Sequence, residues 1–275
     1  MIFLKKYSII LLLFIVFLIL LQGFPKKEEK HQNDMEKNQL LYRFYQKEKE
    51  ERYQQYKQIH PEMEDIDIIT RVNLNLDKPY YEDAEPALYL NTNLVFVNKY
   101  HYLEENYEPD SLKKLEKCSS GNRLLQKDAK EDFERLCEQA EKDGKTIRVV
   151  SSYRSYSYQK TLYDNYVLKD GKEKADTYSA RSGFSEHQTG LVIDVDNAIK
   201  SFEDFEETEE FTWMQENAHR FGFILRYPKG KEDITGYQYE SWHYRYVGEK
   251  VATFLKENNM TFDEYIARDL ARQGK

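Results

Sequence analysis

Ser185-Glu186-His187-Gln188-Thr189-Gly190-Leu191-Val192-Ile193-Asp194-Val195 is a polar turn that runs into an apolar strand. Gly190 offers the dihedral freedom that a tight turn needs, and the run after it is apolar enough for a strand covered on both faces. Asp194 breaks that run. A lone carboxylate is costly to bury unless it is paired or ligated, so something positive must meet it. His187 precedes it on a turn that can fold back over the strand, and a divalent metal is a natural partner for the two. Asp196 lies on the same strand face as Asp194, so spacing alone leaves it open as the ligand.

A second cluster, Glu240-Ser241-Trp242-His243-Tyr244-Arg245, offers another imidazole with a carboxylate three residues before it. Two His and one Asp with an open position for water is the composition of a catalytic zinc site, and a neighbouring non-ligating Glu can take the water's proton. In a regular strand residues i and i+3 face opposite sides, so Glu240 and His243 need a bulge, a turn or a strand end between them. The other imidazoles call for less. His31 and His60 sit in polar sequence, and His101 stands among tyrosines. His219 falls near a helix C-terminus, where a positive ring would suit the dipole.

Outward from these clusters, helices and strands mix without a βαβ period, which predicts an α+β fold. A helix is expected from Asp128, opened by a capping box to Glu131, with Ala129, Phe133, Leu136, Cys137 and Ala140 on its buried face. Ile147 to Val150 reads as a strand and leads through Ser151-Ser152-Tyr153-Arg154 into a helix from Ser157 to Leu168. Arg154 therefore stands at a strand-to-helix junction. Further strands are expected at Leu191 to Val195, Phe223 to Arg226 and Tyr237 to Val247, with a helix from Thr208 to Arg220 between the first two. Thr261 and Glu264 form a second capping box before the last helix. Cys118 and Cys137 are the only cysteines, which excludes a thiolate metal cluster; a disulfide between them and two buried thiols are equally compatible with the sequence.

The chain has 275 residues with 23 Tyr and 15 Phe, far too aromatic for a disordered protein. A net charge of -8 argues against a general nucleic-acid role. Behind Lys5 and Lys6, the run from Tyr7 to Leu21 is apolar except for Ser8, with no A-x-A-like cleavage site after it; an uncleaved signal anchor, or else a signal peptide, is expected over 1–25. A charged stalk follows over 26–65, then an extended arm over 66–102 in which Ile68 to Val72 and Leu94 to Val97 read as short strands. The remaining 103–275 form the main domain.

Three segments together resemble the VanY-like D-alanyl-D-alanine carboxypeptidases, bacterial zinc peptidases of peptidoglycan stems. They are Ser152-Tyr153-Arg154-Ser155-Tyr156-x-x-Gln159, Ser185-Glu186-His187-Gln188-Thr189-Gly190-x-x-x-Asp194 and Glu240-x-Trp242-His243-x-Arg245. The likeness extends from about Leu94 to Leu255. It implies a compact domain of the hedgehog-like zinc peptidase type, with His187, Asp194 and His243 as zinc ligands, which favours Asp194 over Asp196. It also implies Glu240 as catalytic base and Arg154 beside the scissile carbonyl and the substrate. Ser155, Gln159 and Ser185 are implied to line the substrate pocket.

The expected activity is zinc-dependent release of the terminal D-alanine from peptidoglycan stem peptides by a monomer of the bacterial cell envelope, anchored in the membrane with its catalytic domain outside, or secreted if the signal is cleaved. Two alternatives stay open at this point: an L,D-carboxypeptidase acting on tetrapeptide stems, and a non-catalytic, zinc-stabilised wall-binding module.

Overall fold

The computed structural model describes residues 44–273. The apolar run 7–21 and the first part of the charged stretch lie outside them. The membrane-anchored location expected from that run requires correction: no helix of the described residues is long and apolar enough to cross a membrane. A span needs about 20 apolar residues, whereas the longest helix here has 16, many of them charged.

In chain order the helices are α1 (Glu50–Ile59), α2 (Asp65–Asn73), α3 (Lys127–Lys142), α4 (Tyr156–Asp170), α5 (Lys172–Tyr178), α6 (Glu209–Asn217), α7 (Glu232–Thr235), α8 (Glu249–Glu257) and α9 (Phe262–Gln273). The strands are β1 (Glu85–Pro86), β2 (His101–Tyr102), β3 (Leu112–Lys114), β4 (Leu124–Gln126), β5 (Arg148–Ser151), β6 (Val192–Asp196), β7 (Phe223–Leu225) and β8 (His243–Tyr246). Contacts divide the chain into two compact units. The larger is Thr70–Asp269, and α1 belongs to the other.

The centre of the larger unit is a four-stranded antiparallel sheet in the order β5-β6-β8-β7. Alternation sorts its side chains. Val149, Ile193, Val195, Phe223, Tyr244 and Tyr246 join the hydrophobic core with Ala129, Phe133, Leu136 and Ala140 of α3. The opposite face carries Asp194 and His243, which are direct cross-strand partners, and Ser151, which pairs with Asp194 across a register shift after Val149. The same sheet thus buries one face in the core and presents polar groups on the other.

Several local expectations change. Ile68 to Val72 is helical, within α2: Asp65 and Asp67 occupy the first turn, where acidic groups suit the helix dipole, and the buried Ile68, Ile69 and Val72 recur at helical spacing. In Leu94 to Val97 the last three residues are buried, but the run forms only an isolated bridge, Leu88 with Phe96. The Asp128 capping box does not form, because the N-cap of α3 is Gln126, two residues earlier, and Asp128 falls inside the first turn. The Thr261 box does: Glu264 N donates to Thr261 Oγ1 at 3.1 Å while Thr261 N donates to Glu264 Oε2 at 2.8 Å. Cys118 and Cys137 are joined as a disulfide that pins the loop between β3 and β4 to α3.

Candidate active site

His187 lies in a 3-10 turn, Glu186–Thr189, that Ser185 caps through its hydroxyl and Gly190 closes in the left-handed region at φ 66°. A carbonyl can only accept, so the 2.7 Å contact between His187 Nδ1 and Ser152 O fixes the proton on Nδ1. Nε2 is left with its lone pair, 3.3 Å from Asp194 Oδ2. Arg154 closes this side. Its Nε donates to Ser151 Oγ at 2.8 Å and its guanidinium to Asp194 Oδ2 at 2.7 Å, while its backbone N–H donates to His187 O at 3.2 Å.

His243 opens β8 directly opposite Asp194, with Nδ1 3.2 Å from Asp194 Oδ1. The expected strand over Tyr237 to Val247 is shorter, and the difference resolves the spacing problem. Glu240 N donates to Tyr227 O, and Ser241 and Trp242 form a turn before β8 begins. Across that turn Glu240 Oε2 comes within 3.3 Å of His243 Nδ1. Every one of these groups is buried: His187 3%, Asp194 6%, Glu240 7% and His243 5% exposed.

One ligand atom from each of His187, Asp194 and His243 lies within 4.8 Å of the others, and Asp194 Oδ1 has no hydrogen-bond donor. Two nitrogens and a carboxylate oxygen converging at that range fit a zinc ion, which takes three protein ligands in catalytic sites. Asp196, open as a ligand on spacing alone, is committed elsewhere, since Arg148 Nε donates to it at 2.8 Å.

The electrostatics sort these groups into roles. Burial and the Arg154 charge push His187 down to about 4, so its ring is neutral at pH 7. Burial alone would depress His243 too, but the nearby carboxylates of Asp194, Glu186 and Glu240 outweigh it and raise the ring to about 9. Burial raises Glu240 to about 7, and the Asp194 and Glu186 charges add to the shift. A carboxyl poised there is tuned for proton transfer near neutral pH.

The site opens into a cleft of about 610 Å³. Arg154, Gln159, Ser185, Glu240 and Trp242 line it, as does Tyr227, whose ring centroid is 4.8 Å from that of His243. Gln159 is held by donation to Ala180 O at 2.8 Å and keeps Oε1 without a partner. Ser155 does not belong to the lining. Its hydroxyl accepts from Tyr158 N as the N-cap of α4, a structural task that a serine before a helix commonly performs. His101 is engaged by Asn98, and His219 meets Thr253 Oγ1 at 3.1 Å. Burial lowers the His219 pKa, contrary to the expected cationic ring. His31 lies outside the described residues.

Sequence reasoning missed a layer behind the site. Glu186 accepts from Arg226 Nε and from Arg245, each at 2.9 Å, and Arg226 also pairs with Asp263. All four side chains are essentially sealed from solvent. The one local signal was charge: Glu186 adjoins His187, and Arg245 sits inside a strand of aromatic residues.

A buried His, Asp and His with a carboxyl of raised pKa beside them, at the floor of a cleft, defines a zinc peptidase. The chain belongs to the VanY D-alanyl-D-alanine carboxypeptidase family, whose model matches residues 122–249. It is 38% identical over 213 residues to YodJ of Bacillus subtilis (strain 168), covering 70% of this chain and 76% of that protein. Among solved structures, the LdcB LD-carboxypeptidase aligns with a TM-score of 0.61 at 41% identity, over 64% of this chain and 86% of its own. The zinc complex of the vancomycin-resistance D,D-pentapeptidase VanY aligns with a TM-score of 0.56 at 32% identity, over 63% of this chain and 98% of its own. The enzyme is a zinc carboxypeptidase.

Proposed function

We propose that this carboxypeptidase removes the C-terminal D-alanine from peptidoglycan stem peptides, with His187, Asp194 and His243 holding the zinc, Glu240 as general base and Arg154 as the fixed cation of the cleft. The observation that carries this reading is the convergence of Glu240 on the His187, Asp194 and His243 set, across a turn that a simple strand would not allow.

Zinc in such a site acts as a Lewis acid that polarises the scissile carbonyl and acidifies water. Glu240 takes a proton from the attacking water and returns it to the leaving amine of D-alanine, a task suited to a carboxyl near pKa 7. Arg154 spends two of its donors on Ser151 and Asp194 and keeps others for the negative charge that develops on the carbonyl oxygen or for the terminal carboxylate. Gln159 Oε1 offers a fixed acceptor in the same cleft, and Ser185 supports His187 from the turn.

We further assign the working unit to Thr70–Asp269 rather than to 103–275. Arg245 donates to Asn93 O at 3.0 Å and Val95 O at 2.7 Å, so the arm helps to close the layer behind the site.

An L,D-specific reading competes, favoured by the 41% identity to the LdcB LD-carboxypeptidase. Mass spectrometry of pentapeptide and tetrapeptide stems incubated with the zinc-loaded protein separates the two. Loss of one D-alanine from the pentapeptide, stopping there, supports the proposal. Trimming of the tetrapeptide alone makes it an L,D-enzyme, and binding without cleavage of either would return it to a wall-binding module.

A further inference from the structure

His243 has two ring nitrogens in different surroundings. Nδ1 faces Asp194 and Glu240. Nε2 is buried without a hydrogen-bond partner and looks toward Glu186 Oε2, 3.8 Å away, which is itself buried without one. Two unpartnered buried polar atoms facing each other are costly to leave so, and the pair is complementary, since a carboxylate oxygen can only accept from a ring N–H.

Glu186 is not free to swing elsewhere. Its other oxygen accepts from both Arg226 and Arg245 at 2.9 Å. Arg245 is anchored by the carbonyls of Asn93, Val95 and Tyr246, and Arg226 by Asp263 at the start of α9. Two carboxylates and two guanidiniums balance in charge, so the cluster is self-sufficient and spends only Oε1 of Glu186 on itself. Its function is therefore not exhausted by its own ion pairs.

We propose that Glu186 is a positioning residue for the zinc site: its Oε2 accepts the Nε2–H of His243, which fixes that tautomer and leaves Nδ1 to face the metal. His187 is arranged the opposite way, with Nδ1–H on Ser152 O and Nε2 toward Asp194. The two histidines thus present different nitrogens, each set by a different acceptor behind the ring. Outer partners of this kind typically change metal affinity about 10- to 100-fold when removed.

This inference rests on His187, Asp194 and His243 being the zinc ligands, and the test keeps the two apart. Long-range ¹H–¹⁵N correlation spectra of the zinc-loaded wild-type chain report which nitrogen of each histidine carries a proton and need no variant. The expected pattern is Nε2–H on His243 and Nδ1–H on His187, with the His243 proton protected from exchange. In Glu186→Gln, checked for folding by circular dichroism, that proton should lose protection and zinc should bind about 10- to 100-fold more weakly in chelator competition. Ligation of zinc through His243 Nε2 would overturn the inference while sparing the zinc site, as would a folded Glu186→Gln with unchanged affinity and exchange. Histidine spectra that do not respond to zinc would overturn the site itself.

Discussion

Asp194 and His243 stand directly opposite each other on neighbouring antiparallel strands, with Asp194 Oδ1 3.2 Å from His243 Nδ1. Register alone makes this pair: a slip of β6 by one residue would turn Asp194 into the hydrophobic core and away from His243. His187 reaches them from a loop, and Arg154 and Glu240 approach from either flank.

Glu240→Gln keeps the size of the side chain and removes the proposed base. Turnover should fall by about 10²- to 10⁴-fold, with zinc content unchanged by elemental analysis. Because Glu240 is buried beside His243 and Asp194, the neutral amide relieves charge crowding, and the melting temperature should not drop. Retained turnover would remove Glu240 from the mechanism.

Arg154 contributes charge at the cleft and also holds Asp194. Arg154→Ala should lower kcat/KM by about 10²- to 10³-fold. Arg154→Lys keeps the charge but lacks the fork that spans Ser151 and Asp194, so it should recover only a small part of the loss. Steady-state kinetics on stem peptides decide between these outcomes. Full recovery with Lys would reduce the role to charge alone.

Zinc affinity should depend on pH with a definite sign. In the metal-free protein His243 is raised to about 9, so at pH 7 it carries a proton that zinc must displace. His187, depressed to about 4, is already neutral and costs nothing. The apparent association constant should therefore rise between pH 7 and 9, approaching about tenfold per pH unit, and level off above. Chelator competition across this range measures the slope, and calorimetry in buffers of different ionisation enthalpy counts the proton released. A flat profile would contradict the assignment.

Gly190 joins the His187 turn to β6 at φ 66°, and a Cβ there would stand 2.7 Å from Leu112 Cδ2. Gly190→Ala should destabilise the fold by about 1–3 kcal/mol through backbone strain and overpacking. The melting temperature should fall by several degrees, and zinc affinity with it, because the turn carries the proposed ligand His187. An unchanged melting curve would show that Leu112 yields and that the turn tolerates a side chain.

Much of the site could be read from the chain because its chemistry is local. Asp194 announces itself as a carboxylate in an apolar strand, and Glu240 and His243 are near neighbours. What escaped depends on partners far apart in sequence: Glu186 meets Arg226 and Arg245, and Arg226 meets Asp263, only after β7, β8 and α9 have assembled. Ser155 reads as a pocket residue and is found capping α4, because a serine beside a pocket and a serine capping a helix look alike until the helix start is known. The β-branched residues of Ile68 to Val72 suggested a strand, but the acidic first turn and helical spacing of α2 prevailed. At the two capping-box patterns, the same motif succeeded at Thr261 and failed at Asp128, where the helix began two residues too early.

The most direct test is the anomalous scattering of a crystal of the zinc-loaded protein, recorded at the zinc edge. The account predicts one strong peak about 2.0–2.2 Å from a nitrogen of His187, an oxygen of Asp194 and a nitrogen of His243, with Glu240 beside it but not bound to it. A peak elsewhere, or one that engages Glu240 in place of Asp194, would contradict it.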